Sequence, residues 1–226
     1  MSEVVLHDYF RSSAAYRVRI ALNLKGVVYE QRSVNLAAGA QKDAEYRARN
    51  PQGFVPMLEI DGQCLTQSLA IADYLDAKVE QPPFVPRDPA DRAHVLALAL
   101  VVACDIHPLN NLRVLKYLAH PLEQPEAVRN DWYRHWVSEG LSALETLAAP
   151  RAGDWLFSDT ISLADICLIP QLYNARRFDV ALDAFPTLTR AEATALAHPA
   201  FAAAHPDRQG SHQCTTLMGA HQEQPA

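Results

Sequence analysis

The chain has 226 residues, 49% of them hydrophobic and 20% charged, with a formal net charge of −6. At about 100–200 residues per domain this means one large domain or two small ones, and the composition excludes disordered, collagen-like and low-complexity classes. The acidic balance argues against a nucleic-acid or anionic-membrane partner, which needs a basic footprint.

The N-terminal segment Met1 to Phe10 has no basic start followed by an apolar block, so no leader is expected. Val4 to Phe10 reads as a short strand, and Ser12-Ser13 then open a helix that ends at Lys25-Gly26. Serine is a preferred N-cap, Ala14, Val18, Ala21 and Leu22 lie on one face, and Gly26 suits a left-handed cap. A second strand follows from Val27 to Val34, then a polar helical stretch from Lys42 to Arg49. Val55 to Ile60 and Gln63 to Leu65 read as two strands joined by a tight Asp61-Gly62 turn. Gln67-Ser68 start another helix running through Leu75.

The order β-α-β-α-β-β-α predicts a compact α/β unit whose first β-α-β is a parallel, right-handed crossover. The proline-rich run Gln81 to Pro89 predicts a stiff, extended connector and a domain boundary. Beyond it everything reads helical: Asp91 to Ala119 bent by Pro108, Asn130 to Ala148, and Ser162 to Tyr173 opened by a Ser162-x-x-Asp165 capping box. The longest apolar stretch, Val95 to Cys104, is shorter than the roughly 20 residues of a bilayer span, so no membrane segment is expected. Cys64, Cys104, Cys167 and Cys214 form no C-x-x-C pair. Neither a disulfide framework nor a metal site is predicted, and reduced thiols fit a cytoplasmic protein. We expect domains at 1–83 and 90–210, and a disordered polar tail at 211–226.

Three positions carry potential chemistry. A strand running directly into a helix at Ser12 exposes backbone N–H groups and a positive helix end, which favours an anion such as a thiolate, although Ser12 as a plain N-cap is the simpler reading. Val55-Pro56 begins a strand; only about 5–6% of X–Pro bonds are cis, which predicts an ordinary trans bond. Gln67-Ser68 opens a helix whose free N–H groups and serine hydroxyl suit a carboxylate. Trp132, Tyr133 and Trp136 stand at helical spacing and are assigned to packing.

In this order the three positions resemble those of the glutathione transferases, and most closely the zeta class. The run Ser12-Ser13-Ala14-Ala15-Tyr16-Arg17-Val18-Arg19-Ile20-Ala21-Leu22 is similar to its Ser-Ser-Cys start and Arg-Val-Arg-Ile-Ala-Leu helix, with Ala14 in place of the signature cysteine. The likeness continues through Asn50-Pro51, Val55-Pro56, Gln67 to Ile71, Asp105 to Arg113, Leu163-Ala164-Asp165 and Ala175 to Phe178.

The resemblance implies a thioredoxin-like α/β N-terminal domain, an all-α C-terminal domain, glutathione as cofactor and a homodimer. It also implies cis-trans isomerisation of a small dicarboxylate, as in the maleylacetoacetate isomerases of tyrosine and phenylalanine breakdown and the bacterial maleylpyruvate isomerases. There, the glutathione thiolate adds reversibly to the cis double bond and permits rotation before it leaves. Ser12 and Ser13 are then the polar groups nearest the sulfur. Gln41, Val55, Pro56, Gln67, Ser68, His107 and Asn111 fall at glutathione-contacting positions. Arg177 falls at the substrate-carboxylate position, with Arg11 and Arg113 as further basic groups suited to carboxylates by their planar fork. Alternatives are a transferase acting on α-halo acids and, outside enzymes, a glutathione-binding scaffold.

Overall fold

The computed structural model describes residues 3–209; the expected tail 211–226 and Cys214 lie outside the described residues. Four strands, β1 (Val5–Asp8), β2 (Glu30–Ser33), β3 (Met57–Ile60) and β4 (Gln63–Thr66), form one sheet in the order β2-β1-β3-β4. β1 and β2 are parallel, whereas β1–β3 and β3–β4 are antiparallel. The hairpin between β3 and β4 turns on Asp61 (φ 52) and Gly62 (φ 74), and two positive φ values define the turn that matches the sheet's twist.

Helix α1 (Ser13–Leu24) follows β1 after a short turn. Ser12 Oγ accepts the Ala15 N–H at 3.2 Å, and Gly26 takes φ 62 past the last turn, so both ends follow the predicted capping. Nearly all of α1 is buried, because it is packed against α3 (Ser68–Lys78), α7 (Leu163–Arg177) and α9 (Pro199–Ala204). Two of its buried residues are arginines, Arg17 and Arg19. Arg19 is fully matched: it donates to Asp8 Oδ2 at 2.6 Å, Ala204 O at 2.9 Å and Phe10 O at 3.1 Å, tying β1 to the far end of the chain.

The proline-rich connector packs into the core of the molecule. Phe84 and Val85 are buried in the common core, Lys25 Nζ lies 4.1 Å from the Phe84 ring centre, and Phe84 O accepts the Leu163 N–H at 2.7 Å. These contacts staple it to both parts of the molecule.

The expected helix 91–119 is interrupted. α4 (Pro89–Leu100) is capped by Asp88, whose carboxylate accepts the Ala90 and Asp91 N–H groups. A π-helical turn at Val101–Ile106 and a 3₁₀ turn at Pro108–Asn110 follow, and Asn111 caps a new helix, α5 (Leu112–Ala119), by accepting the Arg113 N–H at 3.1 Å. The break therefore falls at Asn111 and is more than a bend at Pro108. By length and composition alone the run Pro89–Ala119 could cross a membrane, but its helix is broken at Asn111 and Val95, Leu98, Ala99, Val102 and Ile106 join the core.

α6 (Glu126–Ala148) starts earlier than predicted and lies against the π turn. Gly140 makes that approach possible, since a Cβ there would stand 2.2 Å from Ile106 Cγ1. α7 bears the predicted capping box: Asp165 Oδ2 accepts the Ser162 N–H and hydroxyl at 2.9 and 2.8 Å, and Oδ1 accepts the Leu156 N–H at 2.8 Å. α8 (Pro186–Ala197) and α9 complete the helical part.

Candidate active site

A cleft of about 880 Å³ opens between the start of α1, the loops that precede α2 (Ala44–Arg49) and β3, the 107–111 turn with α5, and the end of α7. Of the expected cofactor positions it brings together Ser12, Ser13, Gln41, Val55, His107 and Asn111, and it is also lined by all three expected substrate arginines, Arg11, Arg113 and Arg177. Pro56, Gln67 and Ser68 are not in its lining.

Each polar position has a local cause. Ser12 is held by its capping bond, which uses an oxygen lone pair and leaves the hydroxyl hydrogen for the cleft. Ser13 is buried, with Oγ 3.1 Å from His107 Nδ1 across the two parts of the chain. The Val55–Pro56 bond is cis, correcting the trans expectation. Gly53 (φ 63) lets the loop before it press on the Gln41 backbone, where a Cβ would stand 2.8 Å from Gln41 O. Gln41 is itself buried at 8% exposure, and its Oε1 has no hydrogen-bond partner. Gln67 is exposed at φ 69 and donates from Nε2 to Gln52 Oε1 at 2.7 Å; Ser68 is buried at the first position of α3 and accepts from Arg17 Nη1 at 3.3 Å.

The electrostatics of the cleft are one-sided. Arg11, Lys42, Arg47, Arg113, Lys116 and Arg177 line it, and among the described residues no Asp or Glu does, in a chain whose net charge is −6. None of these six cations is paired to a carboxylate among the described residues. Aromatic rings hold three of them instead: Arg11 lies 5.0 Å from the Phe10 ring centre, Arg113 5.1 Å from that of Phe54, and Arg177 5.8 Å from those of both Tyr173 and Phe178. Burial, and then the positive charges of Arg17 and Arg113, push His107 from its ordinary 6.5 down to about 3, so it is neutral at physiological pH.

The sequence reading missed several wall residues. Tyr133, assigned to packing, is buried and stacked on Phe178 with 3.6 Å between ring centres, yet it also lines the cleft; helical spacing does not distinguish a core face from a cleft wall. Gln171 and Asn174 lie one turn apart on α7 and reach the same wall, and Lys42, Arg47 and Lys116 add charge from segments far apart in the chain. Among the described residues no cluster of three or more His, Cys, Asp or Glu could hold a metal ion, and Cys64, Cys104 and Cys167 are free thiols.

Comparison with known proteins defines the class. Residues 2–77 match the glutathione S-transferase N-terminal domain and residues 130–209 the glutathione S-transferase C-terminal domain. The chain belongs to the glutathione S-transferase family, with the thioredoxin-like α/β part followed by the helical part. Within that family it is a zeta-class member. It is 48% identical over 212 residues, 92% of this chain and 98% of the relative, to a probable maleylacetoacetate isomerase of Vibrio cholerae. It superimposes on the holo structure of a bacterial zeta-class maleyl pyruvate isomerase with a TM-score of 0.90 at 41% identity, covering 92% of this chain and 99% of that one. A maleylacetoacetate isomerase from Anaeromyxobacter dehalogenans, solved with dicarboxyethyl glutathione and citrate in its active site, matches with a TM-score of 0.83 at 42% identity, covering 92% and 97%.

Proposed function

We propose that this protein is a glutathione-dependent cis-trans isomerase that converts maleylacetoacetate to fumarylacetoacetate in tyrosine and phenylalanine breakdown. The observation that carries the reading is the cleft with six cations and, among the described residues, no carboxylate, built around a helix N-terminus that bears two serines. A dicarboxylate and an anionic tripeptide both suit such a surface.

The residues present fit glutathione. Gln41 offers a buried, unpartnered acceptor for an N–H donor of the tripeptide, and Ser68, at the first position of α3, suits a carboxylate. Val55 and Pro56 supply the backbone before β3, Lys42 and Arg47 the charge for a second carboxylate, and His107 and Asn111 close the cleft from the helical side. When bound, glutathione supplies a thiol that adds reversibly to an activated double bond. The positive end of α1 and the Ser12 and Ser13 hydroxyls stabilise the thiolate, lowering its pKa from an ordinary value near 8.5. Ala14, in place of the class's cysteine, leaves no protein thiol in competition there. Arg177, steadied by Tyr173 and Phe178, holds one substrate carboxylate, and Arg11 and Arg113 neutralise charge that develops on the substrate.

Maleylpyruvate is the second reading, favoured by the TM-score of 0.90 to a maleyl pyruvate isomerase. Both substrates share the cis double bond and terminal carboxylate that the cleft addresses. We take the protein to be a cytoplasmic homodimer with domains at 1–83 and 90–210; a monomeric mass in solution would contradict the dimer. The assay for the reaction is the ultraviolet absorbance change of maleylacetone. Isomerisation is expected only when glutathione is present, and a rate independent of glutathione would contradict the reading.

A further inference from the structure

Arg17 and Arg19 lie two residues apart on α1, and both are buried, at 3% and 0% exposure. Arg19 has a carboxylate and two carbonyls. Arg17 has no carboxylate: its one hydrogen bond runs from Nη1 to Ser68 Oγ at 3.3 Å, and Nε and Nη2 have no partner among the described residues. The acidic groups that bear on it are the thiols of Cys167 and Cys104, and burial pushes Cys167 up to about 11, so that thiol brings no negative charge at neutral pH. An unbalanced guanidinium in such a place is strongly unfavourable, and an anion brought beside it would relieve that cost.

A guanidinium can only donate, so Ser68 Oγ must accept, and the hydroxyl's own hydrogen is directed away from Arg17. Ser68 is the first residue of α3, where backbone N–H groups also lack helical partners and favour an anion. We propose that Arg17 is a positioning residue for glutathione: it orients the Ser68 hydroxyl toward the α-carboxylate of the γ-glutamyl group, whose charge balances the buried guanidinium. The inference rests on glutathione being the cofactor.

Isothermal titration of the full-length protein tests it, using glutathione and its decarboxylated counterpart 4-aminobutyryl-cysteinyl-glycine. Arg17→Met should weaken glutathione about ten-fold or more, the loss expected for a charge-assisted hydrogen bond, and change the decarboxylated tripeptide by less than about two-fold. Arg17→Lys should recover part of the loss, and adding Ser68→Ala to Arg17→Met should weaken glutathione little further, because the two act as one unit. Equal weakening of both tripeptides, or an unchanged glutathione Kd, would overturn the proposal. If Arg17→Met does not fold, Arg17→Gln decides: a loss selective for glutathione supports the proposal and an unselective one overturns it. Failure of the wild-type protein to bind glutathione would instead remove the cofactor assignment on which the inference stands.

Discussion

Ser13 Oγ lies 3.1 Å from His107 Nδ1, so one hydrogen bond joins the first turn of α1 to the 107–111 turn of the helical part at the cleft. The imidazole is neutral there, which leaves one ring nitrogen as donor and one as acceptor. With hydrogen on Nδ1 the ring donates to Ser13 and frees the serine hydroxyl for the cleft; with hydrogen on Nε2, Ser13 is spent on the ring. The tautomer thereby decides whether the Ser13 hydroxyl hydrogen is free for the cleft.

This pairing carries a pH signature. Well above pH 6.5 His107 is neutral in both folded and unfolded chains and adds no pH dependence. As pH falls from 6.5 to about 3, the unfolded chain binds a proton that the folded one refuses, so stability drops across that window. In urea unfolding, His107→Gln should lose about 3 kcal/mol less than the wild type between pH 6.5 and about 4. Parallel losses in the two proteins would show that His107 titrates normally.

The two serines separate by experiment. Ser12→Ala removes the cap of α1 and should cost about 1 kcal/mol of stability along with some turnover. Ser13→Ala leaves that cap intact, so its main effect should be on turnover and on the pH at which bound glutathione ionises, read at 240 nm. A variant with an unaltered thiol titration would assign the thiolate to the other serine or to backbone N–H groups.

Arg177→Ala should raise KM for the dicarboxylate about ten-fold or more, by losing a charge-assisted hydrogen bond of about 1.5–3 kcal/mol, with a smaller effect on kcat. Because six cations share the cleft, KM should also climb as salt is added. An unchanged KM in both experiments would place the carboxylate clamp elsewhere.

Asp165 serves the fold and is not in the lining of the cleft. Its carboxyl is buried, and desolvation raises it to about 6 against the pull of the Leu156 and Ser162 donors. Asp165→Ala strands those donors and should cost about 3 kcal/mol or more in urea unfolding. The folded fraction should bind glutathione normally by titration calorimetry; impaired affinity would show that α7 transmits its capping to the cleft.

The sequence signals that survived were those in which local chemistry decides the outcome. Ser12 and Gly26 mark α1, Asp61-Gly62 marks the hairpin, and Ser162 with Asp165 marks α7, because caps and turns are satisfied within a few residues. What stayed hidden depends on tertiary contacts. No local pattern distinguishes Arg17, nearly bare of partners, from Arg19, fully matched, because Asp8, Phe10 and Ala204 come from other elements. Tyr133 reads as core because its stacking partner, Phe178, lies on another element and the cleft opens beside the pair. The break at Asn111 was masked by an apolar pattern that continues through the π turn.

The central claim is that glutathione acts as a cofactor and is not consumed. Proton NMR of maleylacetone with the enzyme and a small substoichiometric amount of glutathione tests this directly through the vinyl protons and the free-thiol signal. The account predicts many trans products per glutathione, with the thiol recovered intact. Conversion that stops at one equivalent, with glutathione held in a stable conjugate, would contradict it and make the protein a transferase toward this substrate.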